Sequence, residues 1–253
     1  PNLNITAFSV PNGDVGASVN ATLTIRNSGN NAANNFEVAI NRDTGAATTA
    51  CNSGQNATQT ISTSLAANTT RDLTIALILP PTRGTYTAQA MVDSDCVIAE
   101  TDESDNIYQG SVVTYQAQSW DVTVAFKAPG LASQYDADQA VSAVLTVTNI
   151  GNKATPPNLV VGFWPGFATD PPFPSPGNPA APPAGQSYPI AAPIPANGGT
   201  ADVTVSFNTG SDPGDNTAEA YVIPSGVPVD DPQTNNSTTP SETYNVDVKT
   251  WFQ

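Results

Sequence analysis

At 253 residues the chain is long enough for two ordinary domains, and 39% hydrophobic with 11% charged residues describes a globular rather than a disordered protein. A net charge of −15 with only seven Lys plus Arg argues against nucleic-acid backbones and anionic membrane surfaces as partners. The absence of histidine excludes a Ser-His-Asp or Cys-His nucleophile and an imidazole zinc site.

In chain order, Leu3, Ile5, Ala7 and Phe8 alternate loosely and predict a first strand, and Pro11-Asn12-Gly13 predicts a turn. Val19, Ala21, Leu23 and Ile25 alternate with polar residues, which buries one face of a second strand. Asn27-Ser28-Gly29-Asn30 breaks it, and Phe36, Val38 and Ile40 make the next. A polar stretch carrying Cys51 follows, then an inward row of Leu73, Ile75, Leu77 and Leu79. Tyr86, two residues after Gly84, resembles the tyrosine corner of immunoglobulin-like sandwiches, with Ala88 where antibody domains place a cysteine. About seven short strands separated by turn signals predict a β-sandwich.

Between a strand at Tyr86–Ala90 and one expected from Ile107 to Tyr115 lie six carboxylates and no basic residue: Asp93, Asp95, Glu100, Asp102, Glu103 and Asp105. Charges this dense need a cation or full solvation. Oxygen ligands in a turn-rich loop suit calcium, although neither the glycine nor the helices of an EF-hand are present. The alternative is a solvated acidic loop.

The second half repeats the first. Asn149-Ile150-Gly151-Asn152 echoes residues 27–30 after another alternating strand (Val141, Ala143, Leu145, Val147), and Thr217-Ala218-Glu219-Ala220 echoes Thr87-Ala88-Gln89-Ala90. The offsets are 122 and 130 residues, so the chain reads as a tandem duplication with one insertion, divided 1–117 and 118–253. The join lacks glycine and proline, which predicts a stiff rod. The insertion, 165–196, holds eleven of the 23 prolines and is expected to be irregular or polyproline-II rather than strands. Trp164, Phe167, Phe173 and Tyr188 at or within it either anchor a partner or glycan or fold back over their own sheet.

The two cysteines, Cys51 and Cys96, can form one bridge, to which the loop-entropy model assigns about 4 kcal/mol. Asn4, Asn20, Asn56, Asn68, Asn235 and Asn236 head Asn-x-Ser/Thr sequons and are candidate glycosylation sites. No apolar run is long enough to span a membrane, so no membrane insertion is expected. The chain begins on proline, and any signal peptide is expected to be gone.

The run from Asn2-Leu3-Asn4-Ile5, through Asn27-Ser28-Gly29-Asn30 and Gly84-Thr85-Tyr86, to Ile98-Ala99-Glu100-Thr101-Asp102-Glu103-Ser104-Asp105-Asn106 resembles the CARDB family, cell-adhesion-related domains of bacteria and archaea. The resemblance covers residues 2–115 and is weaker over 120–248. It implies two tandem immunoglobulin-like, fibronectin-like β-sandwich domains that are all-β, extracellular and not catalytic, with the acidic hairpin as the signature region. Cys51 and Cys96 lie outside that pattern.

Two functions follow. One is a structural subunit of a calcium-stabilised surface filament, a homopolymer assembling head to tail. Trp251 and Phe252 at one end, and Leu3 and Ile5 at the other, are the expected subunit interface, with strand complementation as one route. The other is an adhesion or glycan-binding module of a larger surface protein or secreted enzyme, with glycans or cell surfaces as partners.

Overall fold

The computed structural model describes residues 1–43, 51, 55–166, 182–211, 214–223 and 242–247. The chain divides into two compact units, Pro1–Gln118 and Ser119–Gln253. Among the described residues no helix is long and apolar enough to cross a membrane.

Unit 1 contains β1 (Leu3–Ser9), β2 (Gly13–Asp14), β3 (Ser18–Asn27), β4 (Phe36–Asn41), β5 (Ala57–Ile61), β6 (Thr69–Ile78), β7 (Gly84–Val92) and β8 (Val113–Gln118). They form two sheets, β1-β3-β6 and β2-β8-β7-β4-β5. The period-2 rows read from the sequence face each other across the sandwich. Ala21, Leu23, Ile25, Leu73, Ile75 and Leu77 of one sheet pack on Phe36, Val38, Ile40, Ala88, Ala90 and Val92 of the other. The loose alternation of β1 has a local cause. A bulge between Ile5 and Ala7 shifts the register, so Leu3, Ile5 and Phe8 all point inward while Ala7 is exposed.

Unit 2 contains β9 (Val122–Phe126), β10 (Gln134–Asp136), β11 (Ala140–Asn149), β12 (Leu159–Trp164), β13 (Ser187–Ile190), β14 (Gly199–Asn208), β15 (Gly214–Ile223) and β16 (Glu242–Asp247). Its sheets, β9-β11-β14 and β10-β16-β15-β12-β13, repeat the strand order of unit 1, down to the parallel pairing of β2 with β8 and of β10 with β16. Among the described residues each unit thus has eight strands where about seven were expected. The added ones are the very short second strands, which carry no period of their own.

Two further expectations are corrected. The strand after the acidic loop begins at Val113, because Ile107 makes only an isolated bridge to Met91. The proline-rich insertion contains a strand, β13, in which Pro189 pairs with Val160. A proline is tolerated there because β13 is an edge strand, with no neighbour awaiting its missing N–H.

The tyrosine corner forms. Tyr86 Oη donates to the Thr82 carbonyl at 2.9 Å, and its ring stacks on Tyr115 at 5.8 Å. Unit 2 has Asn216 at the equivalent register position, opposite Tyr244 as Tyr86 is opposite Tyr115. Tyr86→Phe is expected to cost unit 1 about 1 kcal/mol in urea unfolding. A loss too small to measure would show that water replaces the bond.

Candidate metal centre

The acidic hairpin springs from the end of β7. Its base is closed by Val92 N–H to the Asn106 carbonyl and Tyr108 N–H to the Ala90 carbonyl, both 2.9 Å. Asp93 then takes a left-handed φ of 48° and is 0% exposed. Its carboxylate accepts the N–H groups of Val97 and Ile98 at 3.2 Å, which folds the chain back over it. Ser94 N–H donates to the Glu37 carbonyl at 2.9 Å, and Glu37 N–H donates to Asp95 Oδ1 at 3.1 Å, so the loop is sewn to β4. Cys96, at φ 52°, is disulfide-bonded to Cys51 with Cα atoms 5.8 Å apart. The bridge anticipated from the two cysteines is present.

The far end of the loop is fastened to the start of β1. Leu3 N–H donates to Glu100 Oε2. Asn2 Oδ1 accepts Thr101 Oγ1 and Asp102 N–H, each at 2.9 Å, and Asn2 Nδ2 donates to Asp105 Oδ2 at 3.1 Å.

Of the six predicted carboxylates, three converge: Asp93, Glu100 and Glu103 each bring an oxygen within 4.8 Å of the others. The remaining three are engaged elsewhere. Asp95 accepts from Glu37, Asp105 accepts from Asn2, and exposed Asp102 caps Ser104, whose N–H and Oγ lie at 2.9 and 2.6 Å. Glu103 Oε1 accepts the Glu100 N–H at 2.9 Å, while its Oε2 accepts Asn106 Nδ2 at 3.3 Å. No lysine or arginine among the described residues forms an ion pair with the trio.

The electrostatics reflect that lack. Burial pushes Asp93 up to about 6, against the N–H groups of Ile98 and Val97, with neighbouring Asp95 adding to the rise. Burial likewise lifts Glu100 to about 7, reinforced by the charges of Asp93 and Glu103. Asp105 is raised by burial and by Asp102. Asp102 is lowered by the two hydrogen bonds from Ser104. Three oxygens, Glu100 Oε1, Asp105 Oδ1 and Asn106 Oδ1, are buried without a hydrogen-bond partner. The donor set is oxygen alone, and Cys96 is consumed by its bridge. Such a set fits a hard cation rather than a thiolate- or imidazole-preferring metal.

Asn2 and Asn106 escaped the sequence reading as site residues. Asn106 was legible only as the end of the acidic run, and nothing local marks Asn2, whose loop partners lie about a hundred positions away.

The other predicted sites fare unevenly. Leu3 and Ile5 are core residues of unit 1, so they are not a surface for a second subunit: the inward phase of β1 buries them. Trp164 is 3% exposed, and Tyr188 Oη is held by Gln186 and by the backbone of Ser206, so neither is presented for recognition. Asn20, Asn56 and Asn68 are exposed. Asn56 Oδ1 accepts Arg42 N–H, and Asn4 is half-buried with its Oδ1 covered. Phe167, Phe173, Asn235, Asn236, Trp251 and Phe252 lie outside the described residues.

Residues 1–110 match the family model described as CARDB. No curated protein matches the chain. Among solved structures, the D00-D0 domain of intimin is 13% identical with a TM-score of 0.31, covering 97% of this chain and 98% of that one. The fibronectin(III)-like modules of Clostridium thermocellum CbhA are 12% identical at a TM-score of 0.27, covering 98% and 94%. Red sea bream transglutaminase is 13% identical at 0.29, and the match covers 98% of this chain but only 32% of that enzyme.

Proposed function

With residues 1–110 a CARDB domain, we propose that this chain is a non-catalytic extracellular structural protein, the subunit of a calcium-stabilised surface filament that assembles head to tail. The observation that carries the reading is the acidic hairpin. Three carboxylates converge there without a basic partner among the described residues, and the loop holding them is fastened to β1, to β4 and through a disulfide to Cys51. A cation there has a structural task, because it offsets repulsion at the point where the loop meets the sandwich. The disulfide accords with an exported protein.

Asp93, Glu100 and Glu103 supply the ion's side-chain oxygens, with Asp95, Asp102 and Asp105 as the outer acidic rim. Head-to-tail assembly is supported by a sequence echo. Lys249-Thr250-Trp251 echoes Gln118-Ser119-Trp120 in its tryptophan and hydroxyl residue, and Trp120 is buried in the core of unit 2. Completion of a sheet edge by a neighbour's strand is one way to make that joint.

The second reading, an adhesion or glycan-binding module, rests on the CARDB match itself. Burial of Trp164 and the tethering of Tyr188 remove two of the four aromatics that would have formed its recognition face.

Under negative-stain electron microscopy, natively produced protein is expected to form long uniform fibres that disperse on chelation of calcium. Discrete particles under both conditions would overturn the filament and favour the adhesion module, to be pursued on glycan arrays. In solution, chelation is expected to loosen the hairpin before the sandwich unfolds, because the core rows lie elsewhere. A thermal transition indifferent to the chelator would end the calcium reading.

A further inference from the structure

Against the acidic trio lies Asn106, which is 2% exposed; its Nδ2 donates to Glu103 Oε2, and its Oδ1 has no hydrogen-bond partner. The amide is therefore packed against the cluster with an acceptor unused, alongside the equally unpartnered Glu100 Oε1. Buried acceptors without donors are costly, and a cation is what several converging oxygens can share.

Glu100 faces two ways. Oε1 is the unpartnered atom, whereas Oε2 accepts the N–H of Leu3, the first residue of β1. One and two residues on, Thr101 and Asp102 grip Asn2. Among the described residues β1 is an edge strand, paired within its sheet with β3.

We propose that calcium bound at Asp93, Glu100 and Glu103 clamps β1 to unit 1, so that cation occupancy controls whether the amino-terminal strand is docked. The inference rests on the calcium reading above. With the ion present, Glu100 is held in place, and so is its bond to the Leu3 N–H. Without it, repulsion within the trio swings the loop outward and takes Glu100, Thr101 and Asp102 away from Leu3 and Asn2. The undocked strand leaves the edge of β3 open for a strand from another copy.

The test is hydrogen exchange by mass spectrometry on the full chain, with calcium or with chelator, beside calorimetric calcium titration. Calcium is expected to slow exchange across Leu3–Ser9 by about 5–150-fold, the span of ordinary coupling between sites, while the β11–β14 ladder is unchanged. By reciprocity, Asn2→Ala, which removes the grip on Thr101, Asp102 and Asp105 without touching the trio, weakens calcium binding, by at most the same factor. Calcium binding with no change in β1 exchange, and an unaltered affinity in Asn2→Ala, overturns the clamp and leaves the calcium reading standing. No calcium binding by the wild-type chain overturns both.

Discussion

Replacing Asn27 or Asn149 with leucine is expected to destabilise the unit that carries it by about 3–4 kcal/mol, although the two side chains are nearly the same size. Both asparagines are fully buried at the end of the second long strand of their unit. Asn27 Nδ2 donates to the carbonyls of Asn31 and Leu65 at 2.8 and 3.0 Å, and its Oδ1 accepts the N–H groups of Asn2 and Gly29 at 3.2 and 3.1 Å. Asn149 repeats the pattern with Lys153 and Ile194 at 2.8 and 3.1 Å, and with Asp121 and Gly151 at 3.3 and 3.0 Å. Every donor and acceptor of the amide is used. Leucine would remove four hydrogen bonds to the backbone at once; the Leu65 and Ile194 carbonyls keep the N–H groups of Ala33 and Thr155, and each backbone group left unpaired costs about 1–3 kcal/mol when buried, with some cost recovered where water can enter.

The glycines of the two turns belong to the same device. A Cβ on Gly29 would lie 2.6 Å from the backbone of Pro1 and Asn2, and one on Gly151 would lie 2.5 Å from the Ser119 carbonyl oxygen. Urea unfolding monitored by hydrogen exchange in each unit reads the result. A loss below about 1 kcal/mol would show that water substitutes for the amide, and the packing around it would then be the chief stabiliser. In unit 1 the damage should also reach the acidic hairpin, because Asn27 positions the backbone of Asn2, which the loop grips.

Removing the disulfide by Cys51→Ser with Cys96→Ser is expected to lower the stability of unit 1 by about 2–4 kcal/mol, the upper figure being the loop-entropy value for the 45-residue separation. The effect should not be confined to stability. Cys96 holds a left-handed φ of 52°, three residues after Asp93 at 48°, and its N–H closes a turn onto the Asp93 carbonyl at 2.9 Å. A non-glycine residue in that region is retained when its surroundings impose it, and the bridge is one of those constraints. Freeing it should let the Asp93 end of the loop relax and weaken calcium binding. Differential scanning calorimetry, with calcium titration of the same variant, separates the two effects. A lowered transition with undiminished calcium affinity would make the bridge a chain staple only, leaving the Ser94–Glu37 and Glu37–Asp95 bonds as the loop's sufficient anchors.

Much of the architecture was legible in the chain. Rows such as Ala21-Leu23-Ile25 and Leu73-Ile75-Leu77 fix which side of a strand is buried, because the strand's period of two is a local property. The duplication could be read because Asn27-Ser28-Gly29-Asn30 and Asn149-Ile150-Gly151-Asn152 survive in both copies. What reads there as a turn signal is also a buried hydrogen-bond hub, a role that depends on Leu65 and Ile194 arriving from the β5–β6 and β13–β14 connections far along the chain. β13 is not legible in the sequence, because proline signals a strand breaker and only the fold puts the segment at a sheet edge.

The candidate site divides along the same line. Composition alone determined that residues 93–105 hold a surplus of carboxylate oxygen with no basic offset. Tertiary structure decided which carboxylates matter: Asp93, Glu100 and Glu103 converge, whereas Asp95 and Asp105 are claimed by Glu37 and Asn2 and Asp102 by a local turn. It also took Leu3, Ile5 and Trp164 out of the candidate surfaces by burying them. The physical reason is range. Strand period and charge density involve residues a few positions apart, but the hairpin's hold on β1 joins residues separated by 97 to 103 positions, and only the folded sandwich brings them into contact.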